Sequence, residues 1–515
     1  MGLASLLLRA AVSAAVFVAL GTALRGLYNV YLHPARKFPG PRLWAAFHIF
    51  KDLACANGDL DNLLCEMHQE YGPVVRISPD ELSFVDERAW RDIYAHPNYL
   101  QKWPRFAFVG QKPGQPADII NSTHPDHARI RRQLAHAFSE KAMREQEDLI
   151  THYIDLLVDR LAGAARSAEA VDMVKWYNLT TFDVISDLAF GQSFAALQSG
   201  EYHPWVASVF KNIRAFNIIR CFATYPFAKL LIGLMASKDL RASRKTHKEY
   251  GNQTVQARLA KGTLEERKDF ITYTLKHKDD HDAGMSEGEI IRTMGTLIMA
   301  GSETTATLLS GVTYFLCTNL EAMRKASDEV RSRFKCEKDI TFTNAANSLP
   351  YMLACLDEAL RLYPPAPFLS QRLTPPGITE IAGYLVPGGM GVGVSRLAAA
   401  RAPESFFESG RFHPERWLPE AASDPASPFY GDARGAFQSF LVGPGACLGR
   451  NLAYNEMRTI LARLLWRFDL EICPRSEAWI EGQKTYVVWE KPALMCRLKP
   501  RSTTATTALS SEFKA

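Results

Sequence analysis

Phe440-Leu-Val-Gly-Pro-Gly-Ala-Cys447-Leu-Gly449 sets a single cysteine in a loop of small residues, directly ahead of a helical pattern. The pattern runs through Leu448, Leu452, Met457, Ile460, Leu461, Leu464 and Leu465. Gly443, Gly445 and Gly449 let the backbone approach a flat group closely and take positive φ where a turn demands it. A helix that starts just after Cys447 aims free backbone N–H groups and its positive dipole end at the sulfur, which favours a thiolate. Such a thiolate serves as a nucleophile, a structural-metal ligand or the axial ligand of a haem iron. No second cysteine stands nearby at zinc-site spacing, which argues against zinc. Taken alone, the loop fits a buried inert cysteine equally well.

The chain has 515 residues, a length that by itself suggests two or three domains. Hydrophobic residues make up 47% and charged residues 22%, so the chain is globular rather than disordered. A net charge of +5 over this length is too weak to point to nucleic acid. The 9 cysteines are odd in number and scattered, which fits free thiols in a reducing compartment. Sequons at Asn121, Asn178 and Asn252 are then silent.

Residues 2–24 are apolar except for Arg9, long enough to span a bilayer if Arg9 snorkels toward the headgroups. A cleaved signal peptide is the rival reading. Arg25, Arg36, Lys37 and Arg42 follow, favouring a cytoplasmic side for what comes after. Lys37-Phe-Pro-Gly-Pro41 makes a stiff hinge. The resulting division is an anchor over 1–26, a Pro-rich hinge over 27–44, a body over 45–500 and a disordered Ser/Thr/Ala-rich tail over 501–515.

Val74–Ile77 and Leu82–Val85 read as a hairpin around Pro79-Asp80. Residues 125–260 are mostly helical in period, and 286–318 predict one long helix opened by a Ser286/Glu289 capping box. A further helix over 351–363 stops at Pro364-Pro365, and 366–400 turn β-prone.

Three polar constellations interrupt these apolar patterns. Ala300-Gly301-Ser302-Glu303-Thr304-Thr305 lies mid-helix, where Gly301 leaves room for a small molecule and a carboxylate and hydroxyl can pass protons to it. A polar kink in a buried helix is the alternative. Glu358 and Arg361 share a helical face among leucines, and a buried pair needs a further partner, which Arg416 in Phe412-His-Pro-Glu-Arg416-Trp417 offers. His127 and Arg131 open another helix on one face, suited to binding carboxylates or simply to facing solvent.

Ala-Gly-x-Glu-Thr-Thr at 300–305, Glu-x-x-Arg at 358–361, Pro-Glu-Arg-Trp at 414–417 and Phe-x-x-Gly-x-x-x-Cys-x-Gly at 440–449, in this order, resemble the cytochrome P-450 superfamily of haem-thiolate monooxygenases. Tyr28-Asn-Val-Tyr-Leu-His-Pro34 and Arg450–Met457 resemble fungal microsomal members of secondary metabolism, of the isotrichodermin-hydroxylase-like group. The resemblance implies a mainly α fold with a small β-rich part, one large domain behind an N-terminal membrane anchor, overruling the length argument. It implies haem b with Cys447 as axial iron ligand, set by Phe440, Gly443 and Gly449, and with His127, Arg131 and Arg372 toward its propionates. Glu358, Arg361 and Arg416 become a buried triad, and Glu303 and Thr304 the proton-delivery pair. Gly445 departs from the family pattern, which has Arg or His there as a propionate partner.

The expected activity is insertion of one oxygen atom of O2 into a hydrophobic terpenoid or polyketide. The implied electron donor is an NADPH-dependent flavoprotein reductase docking near Arg129, Arg132 and Arg450. The implied location is the endoplasmic reticulum membrane, single-pass, with the body in the cytosol. The implied pocket is lined from 104–109, 297–300, 366–369 and 486–488, with Phe106, Phe108, Phe368 and Leu369 apolar. Two rivals are an isomerase of the same fold that uses no O2, and a non-catalytic haem-binding membrane sensor.

Overall fold

The computed structural model describes residues 3–95, 100–104, 114–225, 238–262, 267–276 and 284–501. Helix α1 (Leu3–Tyr31) is apolar, and residues 6–25 are exposed without protein covering them. At about 1.5 Å per residue it reaches about 40 Å, enough to cross a bilayer. It runs past residue 26 into the stretch expected as a hinge, and its last turns dock on the body. Asn29 Nδ2 donates to Ala46 O at 2.8 Å, and the buried Arg76 donates to Asn29 O at 2.9 Å.

After α2 (His48–Asn57) and α3 (Leu60–Tyr71) the chain forms the expected hairpin, β1 (Val74–Ser78) with β2 (Glu81–Phe84). The hairpin edges a five-stranded sheet completed by distant strands: β3 (Gln101–Lys102), β4 (Arg372–Leu373) and β5 (Gly391–Val394), in the order β1-β2-β5-β4-β3. Strand β2 runs parallel to β5, and antiparallel pairing of β3 with β4 sets Lys102 opposite Arg372. Smaller sheets join 170–172, 495–500 and 468–472, and the hairpins 378–387 and 484–490.

Helices carry the rest: α4 (His124–Ala135), α5 (Met173–Phe190), α6 (Pro204–Phe222), α7 (Glu287–Thr318), α8 (Pro350–Leu362) and α9 (Arg450–Arg467). The capping box predicted for α7 is present: Ser286 Oγ accepts from Glu289 N, and the Glu289 carboxylate accepts from Ser286 N at 2.8 Å. Helices α5 and α7 cross at Gly301, where an added Cβ would meet Ile185 Cδ1 at 2.8 Å. Gly301 therefore lets two helices touch. The small-molecule space expected at that glycine is filled by Ile185.

One apolar core runs from α4 through α9, a second lies under the five-stranded sheet, and both belong to one body. This is the one large domain that the resemblance implies, in place of the two or three that length alone suggests.

Candidate active site

Cys447 and its loop are fixed by backbone bonds made before the helix begins. Cys447 N donates to Phe440 O at 2.8 Å, and Ala446 N to Gly443 O at 3.0 Å. Gly443 has φ +71, and a Cβ there would strike Tyr94 O at 2.2 Å, so only glycine fits. Leu441 shares this left-handed region at φ 61, whereas Gly445 and Gly449 do not. The Phe440 ring packs 5.3 Å from Tyr454 of α9.

The Cys447 side chain is exposed, yet protein surrounds it closely enough for burial to push its thiol pKa up. It thus lines an interior cleft. The expected bonus from the helix start is present as one backbone hydrogen bond from Gly449, aided by Arg131, Arg396 and Arg450, but burial outweighs it in the protein alone.

Four cations gather beside this loop. Arg131 Nη1 donates to Ala446 O at 2.6 Å. The Arg372 guanidinium lies over the Tyr94 ring at 5.3 Å, with Nη2 3.3 Å from where a Cβ on Gly445 would stand. Arg396 is buried and donates to Ala366 O and Phe368 O. Lys102 reaches the group through the β3–β4 pairing, and Ser122 O accepts from its ammonium at 3.3 Å. Among the described residues none of these four forms an ion pair with a carboxylate. Burial and the Arg372 charge pull Lys102 down to about 8, against Asp118. A cationic group, buried at Arg372 and Arg396 and half-buried at Arg131 and Lys102, beside an interior thiol fits a flat iron cofactor with acidic side arms.

His127 is 8% exposed. Burial first, then the charges of Lys102, Arg131, His124 and Arg372, depress its pKa from 6.5 to about 4. The folded protein therefore keeps this ring neutral while the unfolded chain protonates it. The stabilisation is complete above pH 6.5 and is lost as pH falls toward 4. At about 1.36 kcal/mol per unit it reaches at most about 3 kcal/mol. Between pH 6.5 and 4 the wild-type protein should lose stability more steeply than His127→Gln in urea titrations; parallel pH profiles would show that the ring is not held neutral.

Helix α7 presents two separate arrangements. Thr304 Oγ1 donates back to Ala300 O at 2.6 Å, and Ala300 is exposed mid-helix although the following turns are fully buried. This face opens inward. Glu303 turns away from it: its carboxylate pairs with Lys491, whose ammonium also donates to Thr307 Oγ1 at 2.8 Å. Both side chains of the pair are nearly inaccessible, at 4% for Glu303 and 3% for Lys491, and Glu303 Oε2 has no partner. The structure brings Glu303 to Lys491 and not to Thr304. Lys491 stands in a plain Glu-Lys-Pro-Ala run, which carries no signal of the contact.

The triad assembles as expected. Glu358 accepts from Arg361 at 2.9 and 2.7 Å, from Arg416 Nε at 3.1 Å, and from Trp417 Nε1 and His413 N at 2.9 Å each. Burial would raise its pKa, but the Arg361 hydrogen bonds and the two guanidinium charges prevail and lower it. Asp432, which the sequence did not single out, pairs with Arg416.

Of the expected pocket, Leu369 is buried and Phe368 half-buried beneath Arg396; Phe106 and Phe108 lie outside the described residues. Arg129 is engaged by Glu289 at 2.5 Å, while Arg132 and Arg450 remain exposed.

The sequence profile of the Cytochrome P450 family matches residues 38–497. A trichothecene C-4 hydroxylase from Trichoderma arundinaceum is 45% identical, over 93% of this chain and 95% of that protein. The cytochrome P450 monooxygenases olcB of Penicillium canescens and astJ of Aspergillus oryzae are each 44% identical, over 93% of this chain and 96% and 94% of their own lengths. With the thiol loop, the cations beside it and the buried triad in place, these matches establish that the chain belongs to the cytochrome P450 family and is an oxidoreductase of the monooxygenase type.

Proposed function

We propose that this protein hydroxylates a hydrophobic secondary metabolite of terpenoid or polyketide type, with haem b held through Cys447. The observation that carries the reading is the exposed Cys447 side chain inside the body, with Arg131, Arg372, Arg396 and Lys102 gathered around its loop. A trichothecene hydroxylase among the relatives favours hydroxylation over rearrangement.

Bound haem would supply an iron that takes up O2 and, under the electron push of a thiolate, cleaves its O–O bond. Arg131, Arg372 and neutral His127 would hold the propionates, and Arg372 would supply the charge that Gly445 lacks. Phe440 and Gly443 would set the loop, with Gly449 N–H toward the sulfur. Thr304 would hold and pass a proton at Oγ1, having only the Ala300 carbonyl to release. Glu303 would deliver protons only after leaving Lys491, so Lys491 would hold this carboxylate in reserve. Leu369 and Phe368 would exclude water from the substrate.

Electrons would come from an NADPH-dependent flavoprotein reductase, docking at exposed Arg132 and Arg450. Helix α1 would anchor the protein in the endoplasmic reticulum membrane with the body in the cytosol, residues 45–500 forming the catalytic unit. The buried Asn29 contact supports a retained anchor over a cleaved signal peptide, because removal would strip groups that the body uses.

Turnover with 18O2, NADPH and a fungal reductase should place one labelled atom in the product, and Thr304→Ala should raise NADPH consumption per product severalfold. Product formed without O2 or NADPH would favour the isomerase. Substrate-induced spectral change with no product from any member of a terpenoid and polyketide panel would favour the sensor.

A further inference from the structure

Away from the thiol loop, the carboxyl end of α2 and one face of α6 bring two cysteines together. Cys55 and Cys221 line one cleft, and their thiols interact. Arg220 Nη2 donates to Cys55 Sγ at 3.1 Å and to Asn217 Oδ1 at 2.8 Å. Asn217 Nδ2 in turn donates to Cys55 O at 2.7 Å, so α6 grips the α2 end through three consecutive-turn side chains. Both cysteines line a cleft that also contains Lys51, Asp61 and Phe368. Cys55 is half-buried there and Cys221 is buried.

The charges around Cys55 come from every neighbouring element. Lys51 and Asp52 stand on its own helix, Asp61 on α3, Glu81 on β2 and Arg220 on α6. Lys51 is tied to Glu81 at 2.6 Å, leaving Arg220 as the cation in direct contact. The end of α2 carries negative dipole charge, which opposes a thiolate, so the cationic contact must override it. It does: the Cys221 thiol first, then Arg220 and Lys51, lower Cys55 to about 6 against burial and Asp61. Cys221 is pushed up. The pair is thus divided into a more acidic and a less acidic thiol, the division needed for a nucleophile and a resolving partner.

We propose that Cys55 and Cys221 form a peroxide-reactive dithiol site, in which hydrogen peroxide converts the pair into a disulfide linking α2 to α6. The Cys55 thiolate attacks one peroxide oxygen; the S–O bond forms, the O–O bond breaks, and hydroxide leaves to take a proton as water. Cys221 then attacks the sulfenic sulfur; the S–S bond forms and the S–O bond breaks. The second water leaves with the Cys221 proton. Two thiols lose two electrons and one peroxide becomes two waters. The cross-link pins α6 onto α2 across the cleft beside Phe368. The reacting groups of this proposal take no part in the monooxygenase reading, although Phe368 borders both sites.

Detergent-solubilised holoprotein is treated with hydrogen peroxide at pH 7, alkylated, and mapped without reduction. A Cys55–Cys221 linked peptide should appear at least about tenfold faster than oxidation of the exposed Cys336. In Cys221→Ser, a dimedone adduct on Cys55 should replace it. Arg220→Met should move the midpoint of the pH–rate profile upward toward the ordinary thiol value, and Arg220→Lys should restore it. Oxidation of Cys336 as fast as Cys55, Cys221→Ser without a Cys55 adduct, or an unmoved midpoint in Arg220→Met overturns the proposal.

Discussion

Cys447→Ala is expected to abolish oxygenation, with turnover falling at least about a thousandfold, or about 4 kcal/mol in barrier at 1.36 kcal/mol per decade. The expectation follows from how the residue is held. Its backbone is fixed by Phe440 O, its sulfur receives one N–H from Gly449, and Arg131 clamps the carbonyl just before it. Cys447 is the one cysteine in the sequence 440–449, and Cys355, for example, is buried on α8. Because the Cys447 side chain is exposed, truncation removes little packing, so far-UV circular dichroism should be unchanged. The reduced variant with carbon monoxide should lack the Soret shift of thiolate ligation. A variant that keeps the shift would remove Cys447 from the site.

Arg416→Ala should destabilise the holoprotein by about 3–5 kcal/mol, a large share of the net stability of an ordinary domain. Arg416 is fully buried, lies 4.8 Å from the Phe429 ring and gives hydrogen bonds to Glu358, Asp432 and Phe407 O. Its loss leaves Asp432 without its guanidinium partner in the core and Glu358 with only Arg361 to balance it. Arg416→Lys should recover little, because one ammonium cannot serve both carboxylates and the carbonyl in a plane. Chemical denaturation followed by haem absorbance and tryptophan fluorescence measures the effect. A loss below about 1 kcal/mol would mean that solvent reaches the triad.

The parts of this site that were legible share a property: each is carried by residues close in the chain. The i, i+3 spacing of Glu358 and Arg361, the capping box of Ser286 and Glu289, and the glycines ahead of Cys447 all report local geometry. Arg416 could be matched to Glu358 only through a family resemblance and the need of a buried pair for a further charge. Two local readings gave way to contacts that chain-local pattern does not contain. Gly301 meets Ile185 of another helix, and Glu303 meets Lys491, 188 residues on. A helical period says which side chains share a face; it does not say which distant group that face will meet.

By itself the sequence determined the helices, the cysteine that can serve as a ligand, the apolar N-terminal helix and the need for a buried charge cluster, because propensity, capping and patterning act over a few residues. The tertiary structure alone decided which partners those groups receive. It set Lys102 beside Arg372 by pairing two short strands, filled the Arg416 corner with Asp432, and joined Cys55 to Arg220 and Cys221 across two helices. Burial then fixed their chemistry, since desolvation and neighbouring charge set a pKa only once the fold has chosen the neighbours. The same physics lowers the Cys55 thiol in the α2–α6 cleft, lowers His127 and raises the Cys447 thiol.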